Sequence, residues 1–497
     1  MVKWLLVLAA CLLTSITPAA EPPAPYGPVP TPRQLFRETN ELYGFLHFDV
    51  NTFTDREWGN GDEDPNIFYP TNFDADQIAR TAKMAGIKCL ILTCKHHDGF
   101  CLWPTAYTTH SVKYSTWYQQ REAKKPGSGD IVKCISEACK KYGLKFGVYL
   151  SPWDRNNASY GTPGYLTYYR NELRELLTHY GPIYEIWFDG ANGGNGYYGG
   201  TRETRTINNR VYYDWPDTWQ IVRELQPNAV MFSDGGPDIR WVGNEDGVAG
   251  DPCWETLNAG GFGPGYGPGN GPAANFGILN SGQRDGTNWV PAECDVSIRH
   301  PNWFYHESDN DKIETPAGLV DIYYESVGRG ACLILNIPPD RDGRIHSTDV
   351  AALREFRHIL DETFAHNLAS RAKIMASNIR GNDKQFSPNN VLDGNPDTYW
   401  STDDSVTNAE MVLELGKPVT FNVVRLREYL PVGQRVDTFG LDEWQDGHWV
   451  EFAKGQAIGN CRLVRSAPIT TQKVRVRLSG PVCPAISEVG LFAEPAG

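Results

Sequence analysis

Between residues 34 and 366 short apolar runs alternate with amphipathic stretches of helical period. The runs at 44–50, 87–95, 144–150, 184–188, 229–232 and 331–337 are apolar on consecutive positions, the pattern of strands buried on both faces. Helical periodicity occupies 74–85, 130–142, 168–180, 216–225 and 318–327, and a longer amphipathic stretch at 348–366 closes the region. The first helix opens on Asp74 and stops before Gly86, and the second stops before Gly143, so both carry ordinary start and stop residues. Strand and helix in alternation predict parallel pairing and an α/β fold, read as a distorted (β/α)8-like barrel in preference to a doubly wound sheet. No GxGxxG follows the first strand, which removes the dinucleotide-binding signature.

From residue 371 to 497 the texture changes to short alternating runs (411–415, 423–426, 474–478) punctuated by Gly and Pro. That pattern predicts an all-β sandwich of jelly-roll type. Residues 21–33, EPPAPYGPVPTPR, form an extended Pro-rich entry arm. Residues 1–20 carry the marks of an export signal: Lys3, an apolar run from 4 to 13, and small residues before the cleavage region at 17–20. The run is too short to span a bilayer, and no later segment is long and apolar enough, so an exported protein without a transmembrane segment is expected. Leu8-Ala9-Ala10-Cys11 also matches a lipoprotein cleavage box, although it sits early and apolar residues continue beyond Cys11. Two long irregular stretches, 191–210 and 258–275, follow strands and in a barrel overhang its C-terminal face.

Charge narrows the range of partners. Sixty acidic against 46 basic residues leave a net charge of -14, a field that repels nucleic acid. Aromatics reach 12%, which suits stacking on sugar rings and equally suits a large aromatic core. Of the cysteines after Cys11, Cys89, Cys94 and Cys332 lie in apolar runs, and Cys134 and Cys139 share a helix; Cys461 and Cys483 remain a plausible disulfide pair. Neither paired CxxC motifs nor HExxH occurs, so no metal and no cofactor are expected.

Candidate chemistry sits where apolar strands turn abruptly polar. These places are Phe45-Leu46-His47-Phe48 with Glu57-Trp58-Gly59, Lys95-His96-His97-Asp98-Gly99-Phe100, and Trp187-Phe188-Asp189-Gly190. A carboxylate held at a strand end beside aromatics is placed to act as a nucleophile; an isolated Asp also serves as a loop or capping residue. His96 and His97 are adjacent, and neighbouring side chains on a strand diverge, which favours hydroxyl contacts over shared metal ligation.

Together HFDVNTF, EWGNG, FYPTNFDADQIARTAKMAGIKCLILTCKHHDGFCLWPT, YLSPWDRN and WFDGANG resemble the retaining α-L-fucosidases, glycoside hydrolase family 29, over roughly residues 35–365. The resemblance implies a two-carboxylate double displacement, with the Asp of WFDG, Asp189, as nucleophile. FSDGGPDIRWVGNEDGVAGDPCWETLN resembles the subgroup selective for α1,3- and α1,4-linked fucose in branched glycans, which implies Glu245 as acid/base. Glu293 in VPAECDVSIR is the rival; with Glu245 in that role, Glu293 and Asp295 become contacts to the sugar bearing the fucose. The resemblance places His47, Glu57, Trp58, His96, His97 and Tyr149 in the fucose pocket, with Trp58, Trp187 or Trp254 covering the C5 methyl. Scaffold duty is an equal reading for Tyr149 and Trp187. NVLDGNPDTYWST and the strands after it resemble the discoidin-like (coagulation factor 5/8 type C) sandwich, where Asp393, Asp397 and Thr402 are oxygen ligands for calcium or plain turn residues. The expected partners are fucosylated oligosaccharides or glycoconjugates. Two alternatives stay open: an inactive carbohydrate-binding protein on the same barrel, and a retaining glycosidase with another glycone.

Overall fold

The computed structural model describes residues 20–258 and 276–495. The export signal with Cys11, and residues 259–275 of the second irregular stretch, lie outside the described residues.

Eight parallel strands close into a barrel: β1 (Leu42–Leu46), β2 (Cys89–Lys95), β3 (Lys145–Leu150), β4 (Glu185–Trp187), β5 (Val230–Ser233), β6 (Ile239–Trp241), β7 (Ala292–Ser297) and β8 (Cys332–Asn336). Each strand pairs with its sequence neighbours, and β8 returns to β1 with Tyr43 opposite Ile334. Among the helices are α1 (Pro32–Glu38), α2 (Ala75–Met84), α3 (Ile131–Tyr142), α4 (Pro163–His179), α5 (Trp215–Leu225), α6 (Pro316–Glu325) and α7 (Ser347–Phe364). Asp74 and Asp130 cap α2 and α3 by accepting the Gln77 and Lys133 N–H groups, each at 2.9 Å. Gly143 ends α3 at φ +70°, a conformation few other residues adopt.

The strands are apolar on both faces because two layers form around them. Tyr43, Phe45, Ile91, Trp187, Phe232 and Ile334 fill the barrel interior. Leu42, Leu46, Leu90, Leu92, Ile186 and Leu333 face outward into the layer shared with the helices. Strands β6 and β7 are absent from the pattern-based expectation, for two reasons. Only five residues separate β5 from β6, with no helix between them. Strand β7, AECDVS, sends Ala292, Cys294 and Val296 outward but carries Glu293 and Asp295 between them, so it does not read as apolar.

The second domain comprises β9 (Lys373–Ala376), β10 (Trp400–Ser401), β11 (Asn408–Glu428), β12 (Thr438–Gln445), β13 (His448–Gln456), β14 (Arg462–Ser479) and β15 (Ala485–Phe492). They pair antiparallel in the order β10-β15-β11-β14-β12-β13, with β9 against β11. The long strands β11 and β14 shift register after Glu414 and again after Phe421, as strands serving both layers of a sandwich do. Trp400, Met411, Leu413, Phe421 and Val476 are in its core. Asp393 accepts the Asn395 N–H and the Thr398 hydroxyl, and the buried Thr402 hydroxyl donates to Val406, so turn bonds occupy these side chains.

Ion pairs join the two domains, Arg462 to Asp251 at 2.9 Å and Arg284 to Asp437 at 2.7 Å. The Pro-rich arm runs along the sandwich, where the Tyr26 N–H donates to Val432 O at 3.0 Å, before the chain enters α1 beneath the barrel. Cys461 and Cys483 do not pair, which corrects that expectation: the Cys483 thiol lies 3.2 Å from the Arg435 guanidinium, and both cysteines are free. No helix among the described residues is long and apolar enough to cross a membrane.

Candidate active site

The C-terminal ends of the barrel strands surround a cavity of about 200 Å³. Asp189 stands two residues past the end of β4, and its carboxylate accepts the Tyr149 hydroxyl at 3.0 Å and the Ala191 N–H at 2.7 Å. The His97 Nε2 lies 3.9 Å away, and the Asp189 side chain keeps 23% of its surface exposed, enough to be reached from the cavity. Gly190 follows, where a Cβ would fall 2.5 Å from both carboxylate oxygens of Asp234, so a larger residue would displace that side chain.

His47, His96 and His97 line one side. His47 Nδ1 pairs with Asn336 Oδ1 at 2.9 Å and His97 Nδ1 with Ser151 Oγ at 2.7 Å. Burial pushes His47 down to about 3 and lowers His96 and His97. All three are therefore neutral near pH 7, each with a donor and an acceptor nitrogen, which matches sugar hydroxyls. His96 and His97 do not diverge, because β2 has already ended at Lys95; their ring centroids lie 4.1 Å apart.

Glu245 faces the same cavity and accepts the Trp303 indole N–H at 3.2 Å. Burial raises its pKa and the charge of Asp189 raises it further, against the lowering effect of the Trp303 bond. Trp303 is thus the indole that bonds Glu245. Trp241 donates instead to Asp295 at 2.8 Å, and burial raises the Asp295 carboxyl well above its ordinary range.

The structure brings His47, Trp58, His96, His97, Trp187, Asp189, Glu245 and Asp295 around one cavity. Tyr149 lies directly beneath it through its bond to Asp189. Glu57 stands one layer behind, accepting the Trp303 N–H at 2.7 Å and bonding His306 Nε2 at 2.6 Å, so it sets the Trp303 backbone. Glu293 and Trp254 are not brought to the cavity, which corrects both expectations. Glu293 is fully buried in an ion pair with Arg37, and Trp254 lines a separate cleft with Tyr26 and Arg284 between barrel and sandwich. The sequence reading missed Trp303, Asp234 and Phe232, all of which line the cavity. Trp303 follows β7 by six residues, a strand-end signal that depended on recognising β7.

Among the described residues, Asp49, His96 and Asp98 are the group able to hold a metal ion, with ligand atoms within 4.8 Å of one another. Asn51 donates to Asp98 at 2.7 Å, and burial with Glu63 nearby raises Asp98 to about 7. Near neutrality this buried group therefore holds a proton for part of the time, which lessens its negative charge.

A barrel whose strand ends gather carboxylates, neutral imidazoles and indoles around a sugar-sized cavity is a glycoside hydrolase in class. The α-L-fucosidase family profile matches residues 33–245 and 267–362, and the F5/8 type C domain profile matches 373–489. Alpha-L-fucosidase 1 of Arabidopsis thaliana is 40% identical over 486 residues, 95% of this chain and 89% of that one. A glycoside hydrolase 29 family member from an unknown rumen bacterium superposes with a TM-score of 0.81 at 40% identity, covering 95% of this chain and 78% of that one. A Ruminococcus gnavus GH29 fucosidase in complex with fucose does so at 0.83 and 31% identity, over 96% and 97% of the two chains. The chain belongs to the α-L-fucosidases of glycoside hydrolase family 29.

Proposed function

We propose that this α-L-fucosidase works with retention, Asp189 as nucleophile and Glu245 as acid/base, on fucose linked α1,3 or α1,4 in branched glycans outside the cytoplasm. The observation that carries the mechanism is the sharing of one cavity by a donor-supported carboxylate and a glutamate of raised pKa. Asp189 attacks C1 of the fucoside while the Glu245 carboxyl protonates the departing glycosidic oxygen. A water, deprotonated by Glu245, then attacks C1 of the fucosyl ester, releasing fucose and restoring both groups. His47, His96 and His97 recognise hydroxyls, and Trp58, which keeps half of its surface exposed at the cavity, suits the C5 methyl. A second carboxyl group of raised pKa facing the same cavity as Asp189 has no use in a protein that only binds sugar, which favours hydrolysis over the lectin alternative. The linkage preference is supported by the RWVGNE stretch that brings Glu245 to the cavity, and export by the leader.

Hydrolysis of linkage-defined fucosylated oligosaccharides tests this reading. Release of fucose from Lewis-type trisaccharides but not from simple α1,2-fucosides is expected, and Asp189→Ala should be inert on the whole panel until azide is added. Preferential cleavage of α1,2-linked fucose would overturn the subgroup, and wild-type turnover by Asp189→Ala would overturn the mechanism.

A further inference from the structure

Glu293 has surroundings that suit a different task from touching sugar. Its side chain and that of Arg37, from α1 beneath the barrel, are both fully buried and form an ion pair. Arg37 Nε also lies 3.6 Å from Glu185 Oε2 at the start of β4, and its carbonyl accepts the Tyr43 hydroxyl at 2.6 Å. The second oxygen of Glu293 accepts the Trp187 indole N–H at 2.7 Å. The Trp187 ring belongs to the cavity wall and lies flat on Phe232, centroids 3.8 Å apart at 6°. It is stacked at 5.5 Å on Tyr149, whose hydroxyl donates to Asp189. Trp187 is also two positions before Asp189 in the chain.

We infer that Arg37 and Glu293 are positioning residues that act through Trp187, holding its ring and the β4 end that carries Asp189 from the closed bottom of the barrel. The inference rests on the cavity being the fucose site. The rotation about χ2 of a tryptophan is broad, so stacking alone leaves the ring freedom to tilt. A short N–H bond to a carboxylate removes that freedom, since charge-assisted bonds are both stronger and more directional than neutral ones. A carboxyl group buried at this depth needs a partner, and Arg37 supplies it. Glu185 faces the same guanidinium, and burial and Glu293 push its carboxyl upward, which favours its neutral form. The segment before β1 thereby reaches the reaction centre in three contacts: Arg37 to Glu293, Glu293 to Trp187, and Trp187 to the Tyr149–Asp189 pair.

The test is a set of variants of the full-length enzyme, read by kcat/KM on an aryl α-L-fucoside and by Tm. Arg37→Met with Glu293→Met removes both charges together, a replacement that buried ion pairs generally tolerate. It should keep a near wild-type Tm yet lose about tenfold in kcat/KM, the cost of orphaning one buried donor at the site. Arg37→Met with Glu293→Gln keeps a neutral acceptor for the indole and should recover to within about twofold of wild type. Trp187→Phe alone should lose about tenfold, and adding the Met pair to it should cost nothing more, because the contact is already gone. Multiplied losses, or wild-type kcat/KM in the Met pair, would sink the inference. If the Met pair does not fold, wild-type kcat/KM in Trp187→Phe is the overturning result. Asp189→Ala is assayed alongside: retained turnover there indicts the site itself, whereas an inert Asp189→Ala with multiplicative losses indicts only the relay.

Discussion

Glu245 is a surface-reaching glutamate whose proton is held by its neighbours. Burial and the negative charge of Asp189 both disfavour its ionised form, so its pKa lies above the ordinary glutamate value of 4.5. The acid step needs the protonated form. Activity should therefore be lost as pH rises through the raised pKa, giving kcat/KM an alkaline limb that belongs to Glu245. Glu245→Ala should remove that limb and slow substrates with poor leaving groups by about 10²–10⁴, while activated aryl fucosides are far less affected. An unchanged alkaline limb in that variant, measured as kcat/KM against pH, would assign the acid elsewhere. That Asp189 and Glu245 line one cavity was legible because each sits in a local motif. Trp303, which bonds Glu245 from 58 positions away, was not, since no local pattern names a partner across the barrel.

At the scale of elements, the cavity depends on how loops from different strands are tied together. Arg155, in the loop after β3, is buried and donates to Trp58 O at 3.3 Å, to Gly59 O, and to Asn195 O at 2.6 Å. One guanidinium thus joins the loop after β1 to the small hairpin after β4, formed by Gly194–Gly196 and Glu203–Arg205. Gly61 must be glycine at this junction: its φ is +91°, and a Cβ would fall 2.5 Å from the Arg155 carbonyl. Trp58 keeps 51% of its surface exposed yet is held edge-on against Trp153 and His97. Arg155→Met should free this wall and raise KM for an aryl fucoside about tenfold with little change in kcat, as for a lost set of buried charged hydrogen bonds. Unchanged KM with a lowered Tm would show that Arg155 serves stability alone. The long 191–210 stretch was readable as an overhang at the C-terminal face. Its hairpin and its tie to Trp58 were not, because a Gly-rich segment carries no periodicity to indicate pairing.

Across the whole molecule, the seam between barrel and sandwich buries carboxyl groups. Glu255, 1% exposed, lies against the sandwich: its N–H donates to the Gln434 side chain at 3.0 Å, and a Cβ on Gly459 would fall 2.6 Å from its Oε1. Burial raises its pKa to about 7, with Glu428 adding to the shift and Arg240 opposing it. The folded state then binds a proton that the unfolded chain has already released, so this group favours folding below the unfolded value of 4.5 and loses that contribution as pH rises through about 7. Glu255→Gln, which cannot ionise, should match wild-type Tm near about pH 5 and exceed it by a few degrees near about pH 8. A wild-type Tm that is flat over this range, or equal to that of the variant throughout, would show that Glu255 is not the titrating group.

The sequence alone determined the two-domain order, the parallel barrel, the sandwich and the strand-end location of the chemistry. Those properties follow from hydrophobic period, capping residues and short motifs, all of which act over a few neighbouring positions. Only the tertiary structure decided what Glu293 and Asp295 do. They are two positions apart on β7 and point to the same side, so no pattern along the chain separates them. Depth within the barrel does: Asp295 reaches the cavity and its indole Trp241, while Glu293 meets a guanidinium 256 positions earlier in the chain, brought beneath it by the closing of the strands.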